Sequence, residues 1–277
     1  MNNAKEYYNK SSQDYVNKWD LSLSGLNKPT NLYRQALIEA LLETADIKKD
    51  DKVVEIGCGT GLVLREALKR TAPVFGVDVS IEMLNRTRDI VLKDRQVAIL
   101  DDFSQMGGQT ADVFLAVDDF LNLHLPERSF DKILSLEVLR YIDDLDKAFI
   151  NIRKIMREDT VFIFTLTNLW SLSLFPLKYS LRKFFGRLDE KNELLQYFVT
   201  EKSVRRKLKE SGLKIIRFEK LNLLSANPLV AKIVKNKKWA EKIISMDKRF
   251  SKISIINKLY DTFLVAVKLE GDNFIHR

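Results

Sequence analysis

The chain has 277 residues, 45% of them hydrophobic and 30% charged, an ordinary globular composition able to bury one large core plus appendages. Its single cysteine, Cys58, excludes an internal disulfide and any cysteine-cluster metal site. The net charge is +8, and the polar start MNNAKEYYNKSSQDY is no signal peptide, which points to the cytosol.

The first element in the chain is an aromatic-rich helix, YYNKSSQDYVNKW (7–19), within an N-terminal helical region expected over residues 1–45. The informative stretch follows at VVEIGCGTGLV (53–63). Val53, Val54 and Ile56 read as a buried strand, and Gly57, Gly59 and Gly61 allow a sharp turn and a close backbone approach to a ligand. A helix from about Leu62 to Lys69 starts at that turn, so the segment is the first unit of a doubly wound α/β fold. A dinucleotide loop of the G-x-G-x-x-G type would need glycine at position 62, where Leu62 stands. A P-loop would need Lys-Ser or Lys-Thr after the loop, and neither follows. Glu55 would meet phosphates as a like charge, so a cationic ligand fits better.

Glu55-Ile56-Gly57-Cys58-Gly59-Thr60-Gly61 resembles the first motif, (D/E)-x-G-x-G-x-G, of the class I methyltransferases that use S-adenosylmethionine (SAM). The resemblance covers about residues 45–215. It implies a doubly wound, mostly parallel, seven-stranded Rossmann-like sheet, SAM as cofactor, and a loop (Glu55, Gly57, Cys58, Gly59, Gly61) that holds it. The next strand, in PVFGVDVSIEML (73–84), ends in Asp78, about 17 residues past Gly61, where an acid reaches the ribose hydroxyls of a ligand held by the first loop. By the same resemblance Val79 and Met83 adjoin the adenosine, Met83 packing on the adenine.

A third acid has two near copies to choose from, VAILDDF (97–103) and FLAVDDF (114–120). The run DFLNLHLPERSFD (119–131) lies without a gap on the family's segment leading to strand four, which selects the second copy, with Asp118, Asp119 and Phe120 at the site and Asp119 on the adenine amine. Spacing from Asp78 favours Asp102 instead, so this choice makes about 15 residues near 97–111 an inserted helix or loop. Strand four is expected at DKILSLEVL (131–139), with Leu136 at the cofactor and Glu137, Arg140 and Tyr141 just beyond, at the sheet edge where ligands of such folds bind. Many family members carry a histidine near position 141; here Tyr141 or Glu137 is the candidate base for an oxygen acceptor, His124 and His276 being the only histidines. The helix DLDKAFINIRKIM (144–156) and strand TVFIFTL (160–166) complete a cofactor core expected over residues 46–169.

Thr160 to Leu177 is the longest uncharged run, about 18 residues, but Asn168 and Pro176 make it a strand and turn rather than a membrane span. Basic charge concentrates beyond it: from Trp170 to Tyr260 about 22 Lys and Arg stand against about 8 acids, and such a surface attracts anionic partners. A basic-aromatic insertion (170–200, chiefly WSLSLFPLKYSLRKFFGRL, 170–188) resembles the lids such enzymes place over the acceptor pocket. Residues 201–277 then supply the last helix and strands, interrupted by a basic helical insertion at about 222–260 and ending on FLVAVKL (263–269). The implied acceptor is a small molecule, anionic or lipid-like, with membrane or anionic-lipid contact through 170–188 and 230–260. Limited aromatic-basic interleaving counts against nucleic acid. The reading from another class is a SAM-binding module or partner subunit without chemistry; the absent histidine motivates it, and the intact loop opposes it.

Overall fold

A computed structural model describes residues 2–18, 29–106, 110–188, 194–227, 229, 230, 234, 236–250, 253 and 256–271. Trp19, residues 189–193 and 231–233, and His276 lie outside the described residues. The strands are β1 (Val53–Ile56), β2 (Val74–Asp78), β3 (Val97–Leu100), β4 (Val113–Val117), β5 (Lys132–Ser135), β6 (Val161–Thr167), β7 (Leu213–Leu221) and β8 (Thr262–Leu269). They form one sheet in the order β3-β4-β2-β1-β5-β6-β8-β7, in which β8 alone runs antiparallel to its neighbours. The helices are α1 (Asn2–Lys18), α2 (Pro29–Ala45), α3 (Leu62–Ala67), α4 (Ile81–Arg86), α5 (Leu145–Ile155), α6 (Phe175–Phe184), α7 (Glu201–Glu210) and α8 (Lys237–Phe250).

Eight strands, not seven, correct the expected count. The extra one is β3, made of the segment expected to be an inserted helix or loop; its Val97, Ala98, Ile99 and Leu100 pair in parallel with β4 at the sheet edge. Only Leu100 of the four is buried, so an apolar run this short and half-covered lacked the alternation or full burial that marks a strand in sequence. β4, the second DDF copy, is the strand that adjoins β2.

Apolar strands explain the layers. Every residue of β1, β2 and β6 is buried, as parallel strands covered on both faces require. Successive side chains alternate between two cores: Val54, Phe75 and Phe162 pack with α5 and α7, and Val53, Val74 and Ile163 pack with α2 and α3. Alternation places Glu55 on the side of Val53, toward α2. Helix α5 buries Leu145, Ala148, Phe149, Ile152 and Ile155 at helical spacing, behind an Asp144 cap that accepts from the Lys147 amide. Helix α8 lays Ala240 and Ile243 against Tyr33 of α2.

Candidate functional site

A cavity of about 880 Å³, its open mouth included, lies past the carboxyl ends of β1, β2, β4 and β5. Its wall carries Glu55, Gly57, Cys58 and Gly59 from the loop, Asp78, Val79 and Met83 from the next unit, and Asp118, Phe120, Leu136, Glu137 and Tyr141. Two expected residues are not on the wall, Asp119 and Gly61. Gly61 begins α3 at φ 72°, and a Cβ there would stand 2.4 Å from Thr87 Cγ2, so this glycine lets α3 and the segment after α4 close together. A Cβ on Gly57 would lie 2.3 Å from Val138 Cγ2.

Asp78 fastens the loop. Its Oδ2 accepts from the Gly59 amide at 2.9 Å and its Oδ1 from the Ser80 amide at 3.0 Å. Each oxygen has a second lone pair, which leaves room for ligand hydroxyls. Burial raises the Asp78 carboxyl from its ordinary 3.8 to about 6, against the pull of the Ser80 and Gly59 amides. A raised folded-state value means stability that is full below about 4 and lost as pH rises through about 6. The ligand-free melting temperature should therefore fall between pH 4 and 6 in calorimetric scans, while adenosine binding tightens as the carboxylate forms. If the fall persists in Asp78→Asn, another group causes it.

Glu55 is 2% exposed, and its Oε2 has no hydrogen-bond partner. Burial lifts this carboxyl well above the usual range; the Arg34 guanidinium opposes the shift and Asp78 adds to it. Burial likewise raises the Cys58 thiol, making it an inert wall rather than a nucleophile. An orphaned buried acceptor facing a cavity calls for a cationic donor.

Sequence reasoning missed Arg34, on α2. Its Nη1 donates to Glu137 Oε2 at 2.7 Å, and its side chain is 11% exposed. Glu137 also meets Arg140 Nη1 at 3.4 Å and holds a left-handed backbone at φ 58°, with its amide on Thr165 Oγ1. Nothing in the sequence beyond the phase of α2 signals this pair. Ala4 and Tyr8 of α1 also line the cavity; Asn9 Oδ1 accepts from Ser80 Oγ at 2.6 Å, and the Tyr8 ring meets the edge of Tyr141 at 6.2 Å. The aromatic N-terminal helix thus sits over the cofactor unit.

The acids after β4 divide their work. The Asp118 carboxylate accepts from the Asp119 and His124 amides at 2.8 and 2.9 Å, whereas Asp119 Oδ1 takes the Leu121 amide at 2.7 Å. Asp102 is exposed and accepts from the Ser104 amide beyond the edge strand β3.

A glycine loop with positive φ at Gly57, Gly59 and Gly61, a ribose-height acid and a buried carboxylate awaiting a cation form a cradle suited to SAM. The sequence family described as a methyltransferase domain matches residues 30–217. The chain belongs to that family. This methyltransferase is 25% identical over 227 residues to an uncharacterised protein of Methanocaldococcus jannaschii, covering 76% of each chain. It is 24% identical to the ubiquinone biosynthesis O-methyltransferase of Histophilus somni, over 59% of this chain and 66% of that one. In fold it resembles magnesium protoporphyrin IX methyltransferase from Synechocystis PCC 6803, solved with bound SAH, with a TM-score of 0.58 at 15% identity over 96% of this chain and 98% of the other. The protein is a SAM-dependent methyltransferase, and SAM is its cofactor.

Proposed function

We propose that this methyltransferase alkylates a small-molecule acceptor, anionic or lipid-like, in the cytoplasm. The observation carrying this reading is the continuity of one cavity from the Glu55 and Gly57–Gly59 wall, which suits the donor, to Glu137 and Tyr141, where an acceptor would meet it. The relative named as an O-methyltransferase of ubiquinone biosynthesis supports the class, as does the basic surface of residues 170–188 and of α8, where exposed Trp239 lies under the Lys242 ammonium at 5.1 Å.

Bound SAM supplies a methyl group already activated by its sulfonium. The chain's task is to hold the acceptor in line about 3 Å away and exclude water, which can contribute roughly 7 to 11 kcal/mol. Of the cavity's lining, Glu55 would meet the ammonium, Arg34 the methionine carboxylate and Asp78 the ribose, and Val79, Met83 and Phe120 would flank the adenine. At the acceptor end both Glu137 oxygens are committed to guanidinia, Arg34 and Arg140. Glu137 is therefore read as a positioning group, and Tyr141, whose hydroxyl oxygen can accept a hydrogen bond, would orient or share the acceptor's proton.

Calorimetry with SAM, SAH and NAD, followed by transfer of radiolabelled methyl from SAM to cell extract, tests the reading. Binding of SAM and SAH with labelling of an organic-soluble acceptor is expected; binding without transfer to any acceptor would favour the inactive-module alternative. For the adenine, Asp118→Asn should weaken adenosine by about 1 to 2 kcal/mol, Asp119→Asn by less, and Asp102→Asn not at all. A loss confined to Asp102→Asn would place the adenine beside β3.

A further inference from the structure

Helix α6 has two apolar faces, and the body of the protein uses only one. Pro176 and Tyr179 are buried, and the Phe175 and Tyr179 rings meet Phe198 at 6.0 and 5.5 Å. Leu174, Leu177, Leu181, Phe184 and Phe185 recur at spacings of three and four, so they share the other face. All five are exposed, Phe184 by 81% and Phe185 by 62%. Exposed apolar residues scattered singly need no explanation, but an aligned stripe does. Lys178 and Arg182 flank it, both exposed, and no acidic residue occurs between Trp170 and Leu188.

The charge decides what covers this face. A second copy would oppose cation to cation, since the stripe and its flank would meet themselves across a two-fold axis. An anionic lipid surface satisfies both the stripe and the flank, and a basic helix with large apolar side chains opposite is the form that lies in a membrane interface. A ten-residue helix is about 15 Å long and cannot span a bilayer; among the described residues no helix is long and apolar enough to cross one.

The inward face leads to the acceptor end of the cavity. Tyr179 Oη donates to the Leu194 carbonyl at 2.9 Å and accepts from the Gln196 amide at 3.0 Å. Gln196 Oε1 in turn accepts from Arg140 Nε and Nη2 at 3.0 and 2.5 Å, and Arg140 adjoins Glu137 and Tyr141.

We propose that α6 docks this protein on an anionic lipid surface, its leucines and Phe184–Phe185 entering the interface and Lys178 and Arg182 meeting the phosphates, so that the acceptor is drawn from that interface. The acceptor clause rests on the methyltransferase reading; the docking does not. The test is co-sedimentation of the full chain with vesicles of phosphatidylcholine alone or with 30% phosphatidylglycerol, about one lipid in three. Binding to the anionic vesicles, weakened by salt, is expected. Phe184→Ser/Phe185→Ser and Lys178→Glu/Arg182→Glu should each reduce the partition coefficient tenfold or more, with the calorimetric affinity for SAM unchanged as proof of folding. No vesicle binding, or equal binding to both lipids, overturns the proposal. A concentration-dependent dimer abolished by Phe184→Ser/Phe185→Ser, without vesicle binding, assigns the face to a protein contact and overturns it too. Vesicle binding without SAM binding would leave the docking standing and remove the enzyme reading.

Discussion

Glu55→Gln should match the parent's stability below about pH 4.5, exceed it increasingly as pH rises above that, and be deficient in SAM binding by on the order of 100-fold, about 2 to 3 kcal/mol. The carboxyl is buried with an orphaned Oε2, and its folded-state value is raised well above the ordinary 4.5. A raised value gives stability that is present below the unfolded value and lost as pH climbs through the folded one. Glutamine has the same shape and never ionises, so the variant escapes that loss. It also presents an amide where the ligand's ammonium needs an anion. Thermal melts from pH 5 to 9 alongside calorimetry separate the two effects, and unchanged SAM affinity in the variant would take Glu55 out of the site.

Arg34→Leu is expected to split the cofactor in half. Affinity for SAM and SAH should drop by about 2 to 3 kcal/mol, or roughly 30- to 150-fold, as a charge-assisted contact in a nearly enclosed position does. Adenosine, which has no carboxylate, should bind as before. Stability should fall by about 1 to 3 kcal/mol, because Glu137 would keep only its longer contact with Arg140. If adenosine weakens in step with SAM, the arginine supports the fold of the pocket and does not touch the methionine end.

The sequence revealed the parts of the site that are local in the chain. A loop whose glycines need positive φ, a strand ending in Asp78 one crossover later, and the helical phase of α5 are each written within about a dozen residues; the structure brings the first two together at one sheet edge and packs α5 on a face of the sheet. Arg34 was illegible because its contact spans 103 residues to Glu137 and depends on how α2 lies across the sheet. The left-handed backbone of Glu137 was illegible for a similar reason: a non-glycine residue reaches it only when surrounding bonds, here the Thr165 hydroxyl, hold it there. Gly61 shows the reverse case. It fitted a ligand-binding motif letter for letter, yet the space it frees is taken by Thr87.

The position of β8 carries a consequence for how the molecule is made. β8 follows every other described strand in sequence, yet it sits inside the sheet, pairing Phe162–Thr167 on one side and Leu213–Leu221 on the other. As the chain emerges from a ribosome, the parallel half and its cofactor loop can assemble first, while β6, fully buried in the finished fold, keeps an open and mostly apolar flank and β7 has no neighbour to join. Closure waits for residues 262–269. A nascent chain arrested before Thr262 would therefore already own its SAM cradle while exposing a sticky border, the state a holding chaperone recognises.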